Sequence, residues 1–184
     1  MRVVIVPGNG GSPYPAPLLG NFYDALAAQL TNSGKFSEVF SKSMPDPNAA
    51  RRSIWLPHLI DTAMVDADTI VIGHSSGAEA AMRLAETTKV KGLVLVAACH
   101  SDLGDAGERV SGWYPPSGGP WQWADIKANA GFIVQFHSTD DPFINIQEAR
   151  VVAESLGSEF HEFQDRSHFF EPFPEAFDAI MKKL

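Results

Sequence analysis

Cysteine is almost absent from this sequence of 184 residues, which contains Cys99 alone. A single cysteine excludes an intramolecular disulfide, and no cysteine and histidine pair has the spacing of a zinc site. Because Cys99 ends an apolar run, we interpret it as a buried and inert thiol. The fold must depend on its core, and a chain of about 150 residues or more buries enough surface for that.

The sequence also lacks a long apolar run and an excess of positive charge. Its longest apolar run, 93–99, is far shorter than the roughly 20 residues that cross a bilayer, and the N-terminus shows no charged leader or cleavage site. Lysine and arginine total 14 against 22 acidic residues, a net charge of −8, whereas a nucleic-acid-binding domain should carry a basic patch. We therefore expect a soluble cytoplasmic or nuclear protein that binds neither membrane nor nucleic acid.

Short runs rich in valine and isoleucine alternate with longer helical patterns along the chain. Four runs are apolar throughout, as parallel strands covered on both faces should be: 3–6, 69–72, 93–96 and 132–136. Weaker strand patterns occupy 38–40 and 159–163, the second alternating as a half-exposed edge strand does. Helical patterns occupy 19–32, 49–65, 78–87, 146–156 and 175–184. The order predicts one α/β domain over 1–184, with about six mainly parallel strands and helices on both faces.

One connection interrupts this alternation. Residues 101–120 are rich in glycine, proline and aspartate, and they lead into Trp121 and Trp123. A connection of that length without structure of its own usually serves a binding site or is mobile.

The strongest chemical signal is Gly73-His74-Ser75-Ser76-Gly77, which fits the G-x-S-x-G pattern of a nucleophile elbow. It follows a strand pattern and precedes strong helix formers, as such an elbow must. The spacing to the two glycines selects Ser75 as the nucleophile over Ser76. The helix that begins there would supply the backbone N–H of Ser76 to a developing oxyanion.

A nucleophilic serine needs a base, and the base needs a carboxylate, which follow in the chain order Ser, Asp or Glu, His in this fold. Of the six histidines, His168 alone follows both the acid and the last strand pattern. Asp140 and Asp141 both follow the strand pattern 132–136, and the sequence pattern does not choose between them. Asp165 is too near His168 for this topology.

The loop after the first strand, Gly8-Asn9-Gly10-Gly11, allows close backbone approach to a substrate. We expect the second oxyanion donor there, from Asn9 or Gly10. The loop lacks the third glycine of a dinucleotide fingerprint and the Lys-Ser/Thr of a P-loop.

Aromatic residues cluster in sequence near the same loops. They indicate either an apolar pocket for the acyl or leaving group or the packing of a lid on the sheet. As substrate-binding residues we predict Trp113, Trp121, Phe143 and Phe169.

With these residues in view, the sequence resembles the retinoblastoma-binding protein 9 family of small serine hydrolases over almost its whole length. The matching segments include Val4–Gly11, Met44–Pro47, Ser53–Pro57, Ile72–Ala78, Ser101–Asp105, Pro120–Trp123, Ile126–Asn129, Gln135–Phe136, Ser138–Phe143 and His168–Phe169. The resemblance implies a compact α/β-hydrolase fold that lacks the first two of the usual eight strands. It also implies the nucleophile Ser75, the acid Asp141 and the base His168, and so favours Asp141 over Asp140.

One departure from that family concerns partners. Its namesake binds retinoblastoma-type pocket proteins through a Leu-x-Cys-x-Glu motif, and the corresponding place here reads Ala63-Met64-Val65-Asp66-Ala67. Leucine, cysteine and glutamate are all absent, so we do not expect a pocket-protein partner.

The leading hypothesis is a serine hydrolase that cleaves an ester or amide of a small apolar substrate through an acyl-enzyme. It needs no metal or organic cofactor, and the short chain leaves no room for a large cap domain. The alternative is a catalytically silent member of the fold with a regulatory or protein-binding role, because fold alone never proves activity. A flavodoxin-like nucleotide binder would leave the elbow unexplained.

Overall fold

Six strands form one fully parallel sheet in the computed structural model, which describes residues 1–184. The strands are β1 (Arg2–Val6), β2 (Glu38–Phe40), β3 (Thr69–His74), β4 (Gly92–Val96), β5 (Ile133–Ser138) and β6 (Glu159–Phe163). Their order across the sheet is β2-β1-β3-β4-β5-β6. The chain order therefore reverses direction beside β1, and the carboxyl ends of all strands lie at one edge.

Seven helices connect and cover the strands. They are α1 (Tyr23–Asn32), α2 (Arg52–Asp61), α3 (Ser76–Ala85), α4 (Ala106–Ser111), α5 (Trp123–Asn129), α6 (Ile146–Leu156) and α7 (Glu175–Lys182). Every residue of β3 and β4 is buried, and because successive side chains point to opposite faces, both faces are covered. Helices α1 and α7 pack together, whereas α3 packs against α2 and α5. None of the helices is both long and apolar enough to cross a membrane.

The strand predictions are confirmed, including the alternating edge strand β6. Two helices begin later than the sequence pattern indicates. Helix α1 begins at Tyr23 rather than at 19, since Gly20 and Asn21 have φ of +75° and +48°. Helix α2 begins at Arg52 rather than at 49, since Ala50 has a φ of +45°. A left-handed residue cannot continue a right-handed helix.

The sequence pattern predicts no regular structure in the connection after β4, and this prediction is wrong. The connection contains α4, whose N-cap Asp105 accepts hydrogen bonds from the N–H groups of Gly107 and Glu108. Gly112 ends the helix in the left-handed conformation. The signal was present in the sequence, because an N-cap residue three positions before a glutamate marks a helix start.

A buried arginine of α3 fixes the same connection to the rest of the fold. The Arg83 guanidinium donates hydrogen bonds to the carbonyls of Trp113, Gly119 and Pro120. It also lies over the Trp121 ring, 3.9 Å from its centroid. The segment 113–121 is thus held by side-chain and backbone contacts to α3 rather than by a strand or helix of its own.

Candidate active site

Ser75 lies at the junction of β3 and α3, in a backbone conformation that a side chain rarely adopts. Its φ is 52° and its ψ is −126°, and its N–H donates to the carbonyl of Val96 at 2.9 Å. A methyl group at Gly73 would overlap the backbone of Gly77, and one at Gly77 would overlap the carbonyl oxygen of Val6. Only glycine fits these two positions, and the tight turn they allow places Ser75 at the carboxyl end of the sheet.

His168 and Asp141 form a hydrogen-bonded pair beside Ser75. Nδ1 of His168 lies 2.7 Å from Oδ2 of Asp141, and Oδ1 of Asp141 accepts the N–H groups of Phe143 and Ile144 at 2.9 and 3.0 Å. Burial acts to raise the pKa of Asp141, but the His168 hydrogen bond and charge, with the two backbone N–H groups, hold it below its ordinary value. The ionised carboxylate can only accept, so Nδ1 carries the proton and Nε2 is left as the basic nitrogen.

Asp140 has a different position from its neighbour. Its Oδ1 accepts a hydrogen bond from the Ser138 hydroxyl and another from the N–H of Ser167 at 2.9 Å. It therefore ties the loop that carries His168 to the end of β5. The geometry places Asp141, not Asp140, beside the imidazole.

Ser75 and His168 line one cavity of about 470 Å³ at the carboxyl ends of the strands. Their side chains make no hydrogen bond with each other in this conformation. In free enzymes such bonds are often long and tighten only when substrate binds.

The two predicted candidates for the second oxyanion donor, Asn9 and Gly10, differ in whether their N–H groups are engaged. The N–H of Gly10 donates to the carbonyl of Pro47 at 2.7 Å. The N–H of Gly8, which precedes them in the loop, donates to the Tyr23 hydroxyl at 3.1 Å. Because the N–H of Gly10 is engaged, Asn9 is favoured of the two predicted donors. Asn9 lines the cavity and keeps its N–H without a partner. Ser76 is the first residue of α3, where N–H groups have no partner within the helix.

Of the four predicted substrate-binding aromatics, only Phe143 lines the cavity. Trp113 is fully buried, packs edge-on against Trp55, and donates its indole N–H to the carbonyl of Ala50. It belongs to the core, so its prediction as a substrate contact is wrong.

Trp121 and Phe169 also lie outside the cavity lining. Trp121 stacks on Trp123 with its ring centroid 5.3 Å away, and the guanidinium of Arg83 covers it. Phe169 is buried and packs on Phe173 at 4.7 Å. Both side chains contribute to packing and not to the cavity wall.

Several cavity residues were not singled out by the sequence analysis as substrate contacts. Phe170 and Leu103 contribute apolar surface, whereas Asp105, Glu108 and Tyr114 contribute polar surface. Burial raises the pKa of Glu108. No residue pattern marks these positions as part of a cavity, because they meet only when the connections after β4 and β6 fold over the sheet.

Cys99 lies at the inner end of the polar wall. Its thiol is 3.2 Å from the Tyr114 hydroxyl, and its N–H donates to Oε1 of the buried Glu79. Burial raises the pKa of the Cys99 thiol well above its ordinary value, so the thiol is neutral. This agrees with its interpretation as an inert residue.

His74, the variable residue of the elbow, joins three parts of the site. Its Nε2 lies 3.0 Å from the carbonyl oxygen of His168, which can only accept, so Nε2 carries the proton. Nδ1 then accepts from the Tyr23 hydroxyl, and that hydroxyl accepts from the N–H of Gly8. Burial, with the nearby His168, lowers the pKa of His74 to about 3, so it remains neutral.

A parallel sheet with a serine on a strained strand-to-helix turn, and a carboxylate–histidine pair at the same edge, is the architecture of an α/β hydrolase. Solved structures agree with this fold. The ydeN gene product of B. subtilis matches with a TM-score of 0.82 and 20% identity, over 99% of this chain and 97% of the other. Est1E from Butyrivibrio proteoclasticus matches with a TM-score of 0.70 and 13% identity, over 99% and 87%.

Sequence comparison narrows the class to a family. The serine hydrolase family matches residues 3–177. Serine hydrolase RBBP9 of Rattus norvegicus is 48% identical over 168 residues, which is 91% of this chain and 87% of that protein. The chain belongs to this family of small serine hydrolases, and the resemblance drawn from its motifs is confirmed.

Proposed function

We propose that this hydrolase cleaves an ester or amide bond through an acyl-enzyme formed on Ser75. The observation that carries the proposal is the Asp141–His168 hydrogen bond of 2.7 Å in the same cavity as a serine on a nucleophile elbow. Each residue lies on a loop or turn at the carboxyl ends of the strands, where α/β folds place their chemistry.

The proposed reaction has two halves. The Ser75 oxygen attacks the substrate carbonyl carbon while Nε2 of His168 takes the hydroxyl proton, and Asp141 stabilises the imidazolium. The tetrahedral intermediate collapses as the bond to the leaving group breaks, and His168 returns the proton to that group. Water then attacks the acyl-enzyme in the same way and releases the acid, which restores Ser75.

The backbone N–H groups of Ser76 and Asn9 are the proposed donors to the oxyanion. Ser76 follows Ser75 in the chain, Asn9 lines the same cavity as Ser75, and neither N–H is engaged elsewhere. Donors that are fixed before the reaction stabilise the developing charge without reorganisation. The scheme uses no metal or organic cofactor.

The cavity supports a small substrate, since about 470 Å³ lies at the lower end of the range for ligand pockets. Its walls differ in character, with Phe143 and Phe170 on one and Asp105 and Glu108 on another. The acidic wall disfavours anionic groups. We therefore propose a substrate with an apolar part and no negative charge.

Labelling with a fluorophosphonate probe tests the proposal without knowledge of the substrate. Wild type should label, and Ser75→Ala should not, because the probe needs an activated serine. His168→Ala should lose labelling almost completely, as removal of one member of a Ser-His-Asp site lowers kcat on the order of ten-thousand-fold or more.

Ser76→Ala is the matched control, since it removes the adjacent hydroxyl and keeps the backbone N–H. It should label like wild type. A folded wild type that does not label would contradict the proposal and favour the catalytically silent alternative. Labelling of Ser75→Ala would show that another residue is the nucleophile.

A further inference from the structure

Two exposed phenylalanines surround the ring of His168. The Phe143 ring meets it edge-on with centroids 5.0 Å apart, and the Phe170 ring lies 5.7 Å away. The two phenylalanines also meet each other at 6.2 Å. The base is thus set in an aromatic wall of the cavity.

The exposure of these rings distinguishes them from the other aromatics of the site. Phe143 is 63% exposed and Phe170 46%, whereas Trp113 and Phe169 are almost fully buried. When a ligand covers large apolar side chains that are exposed to water beside a cavity, the burial of their surface favours binding. The wall therefore offers surface to an apolar group.

The chemistry of His168 identifies which part of a substrate would lie there. The base must return its proton to the leaving group, so the leaving atom lies within hydrogen-bond reach of Nε2. The substituent on that atom then lies among the side chains around the imidazole. The acyl part is bonded to Ser75 and extends towards the remaining walls, which include Tyr114 and Glu108.

We propose that Phe143 and Phe170 form a leaving-group subsite that selects aromatic alcohols and amines over aliphatic ones. Aromatic pairs prefer offset or edge-on contacts with centroids 4.5–7 Å apart. Both rings lie within this distance of His168, Phe143 edge-on and Phe170 tilted. The inference rests on the proposed function, because only an acyl-transfer reaction has a leaving group to recognise.

Two esters with the same acyl group test the subsite: phenyl butyrate and 2,2,2-trifluoroethyl butyrate. The intrinsic reactivities of the two esters differ, but that difference cancels when kcat/KM of each variant is divided by kcat/KM of wild type for the same ester. Phe143→Ala and Phe170→Ala should each lower kcat/KM for the phenyl ester about tenfold more than for the trifluoroethyl ester. Phe143→Leu should restore only part of the loss, since it returns apolar volume without the ring.

The deacylation rate provides an internal control. Both esters give the same acyl-enzyme, so the rate of its hydrolysis should not depend on the ester and should change little in the variants. Val151→Ala is the matched surface control, because Val151 is 41% exposed on α6 and does not line the cavity. This substitution should leave the ratio of kcat/KM for the phenyl ester to kcat/KM for the trifluoroethyl ester unchanged.

The outcomes separate the subsite from the proposed function. Equal losses for both esters would overturn the subsite and assign the rings to the positioning of His168. If phenyl acetate is measured beside phenyl butyrate, a loss that depends on the acyl length and not on the leaving group would assign the rings to the acyl part and also overturn the subsite. A protein that labels with the fluorophosphonate probe but cleaves neither ester contradicts the subsite alone. A folded protein that neither labels nor cleaves contradicts the proposed function itself.

Discussion

The floor and the rim of the cavity are fixed in different ways. The floor, residues 73–77, is held by backbone packed against backbone, and Gly73 and Gly77 leave no space for a side chain. The rim consists of the connections after β4, β5 and β6, and side-chain hydrogen bonds hold it. Glu148 of α6, for example, accepts the N–H groups of His100 and Ser101. The position of Ser75, the proposed nucleophile, thus depends on the sheet, while the cavity wall depends on side chains that substitution can change.

The largest expected effect breaks the floor. In Gly77→Ala the new methyl group would overlap the carbonyl oxygens of Val6 and Pro7, and neither can move while β1 pairs in the sheet. We expect a loss in the free energy of unfolding of at least about 3 kcal/mol, measured by urea denaturation.

The same substitution in the rim provides its control. In Gly107→Ala the new methyl group would meet only the Asp105 carboxylate at 3.0 Å, inside α4. Because alanine has a higher helix propensity than glycine, we expect the free energy of unfolding to change by no more than about 1 kcal/mol. Similar losses in the two variants would contradict the distinction between floor and rim.

The next prediction compares the loss of kcat on substitution of two neighbouring acidic residues of the rim, Asp141 and Asp140. Asp141→Asn should lower kcat on the order of ten-thousand-fold, because the amide no longer stabilises the required imidazole tautomer. Asp140→Asn weakens the hydrogen bond that the N–H of Ser167 donates at 2.9 Å, and it should lower kcat on the order of tenfold. The measurement is kcat on one ester at fixed pH.

An equal loss from both acids would show that Asp141 acts by holding the loop, as Asp140 does. Thermal unfolding of both variants checks that neither result comes from a loss of fold.

The last effect develops gradually with pH and concerns His74, the link between floor and rim. Its pKa is about 3 in the fold against 6.5 ordinarily, so below pH 6.5 only the unfolded chain gains this proton. Stability should therefore fall as pH drops from about 6.5 towards 3, by at most about 1.4 kcal/mol per pH unit from this group. His74→Gln removes the titration and keeps an amide that can donate and accept.

Urea denaturation of both proteins between pH 7 and pH 5 measures this contribution. The curve of the variant should be flatter than that of wild type. Parallel curves would show that His74 is protonated in the folded protein or contributes nothing to acid sensitivity.

The strands and the floor could be predicted from the sequence because each has a local cause. Strands buried on both faces must be apolar throughout, and the runs at 69–72 and 93–96 are. The turn at Ser75 requires glycine at fixed spacing, and it occurs between a strand and a helix. The order of the acid and His168 then follows from the order of the strands.

The rim could not be predicted in the same way, because burial there is decided by tertiary contacts. Phe169 and Phe170 are chemically identical neighbours, yet Phe169 has a φ of +57° and turns into the core while Phe170 meets the cavity. In the loop after β1, which also borders the cavity, the N–H of Gly10 donates to the carbonyl of Pro47, a residue distant in sequence. Neither fact follows from residue type or spacing.

The arginine that fixes the connection after β4 has a consequence for which residues of that connection can vary. Arg83 belongs to α3, which the elbow serine begins, yet its guanidinium holds carbonyl groups of the segment 113–120. Carbonyl groups are present whatever the side chains are. Only exposed side chains of this segment, such as those at 115–117, are therefore free to vary while its attachment to α3 persists, because Trp113 is fixed in the core by its own packing and hydrogen bond.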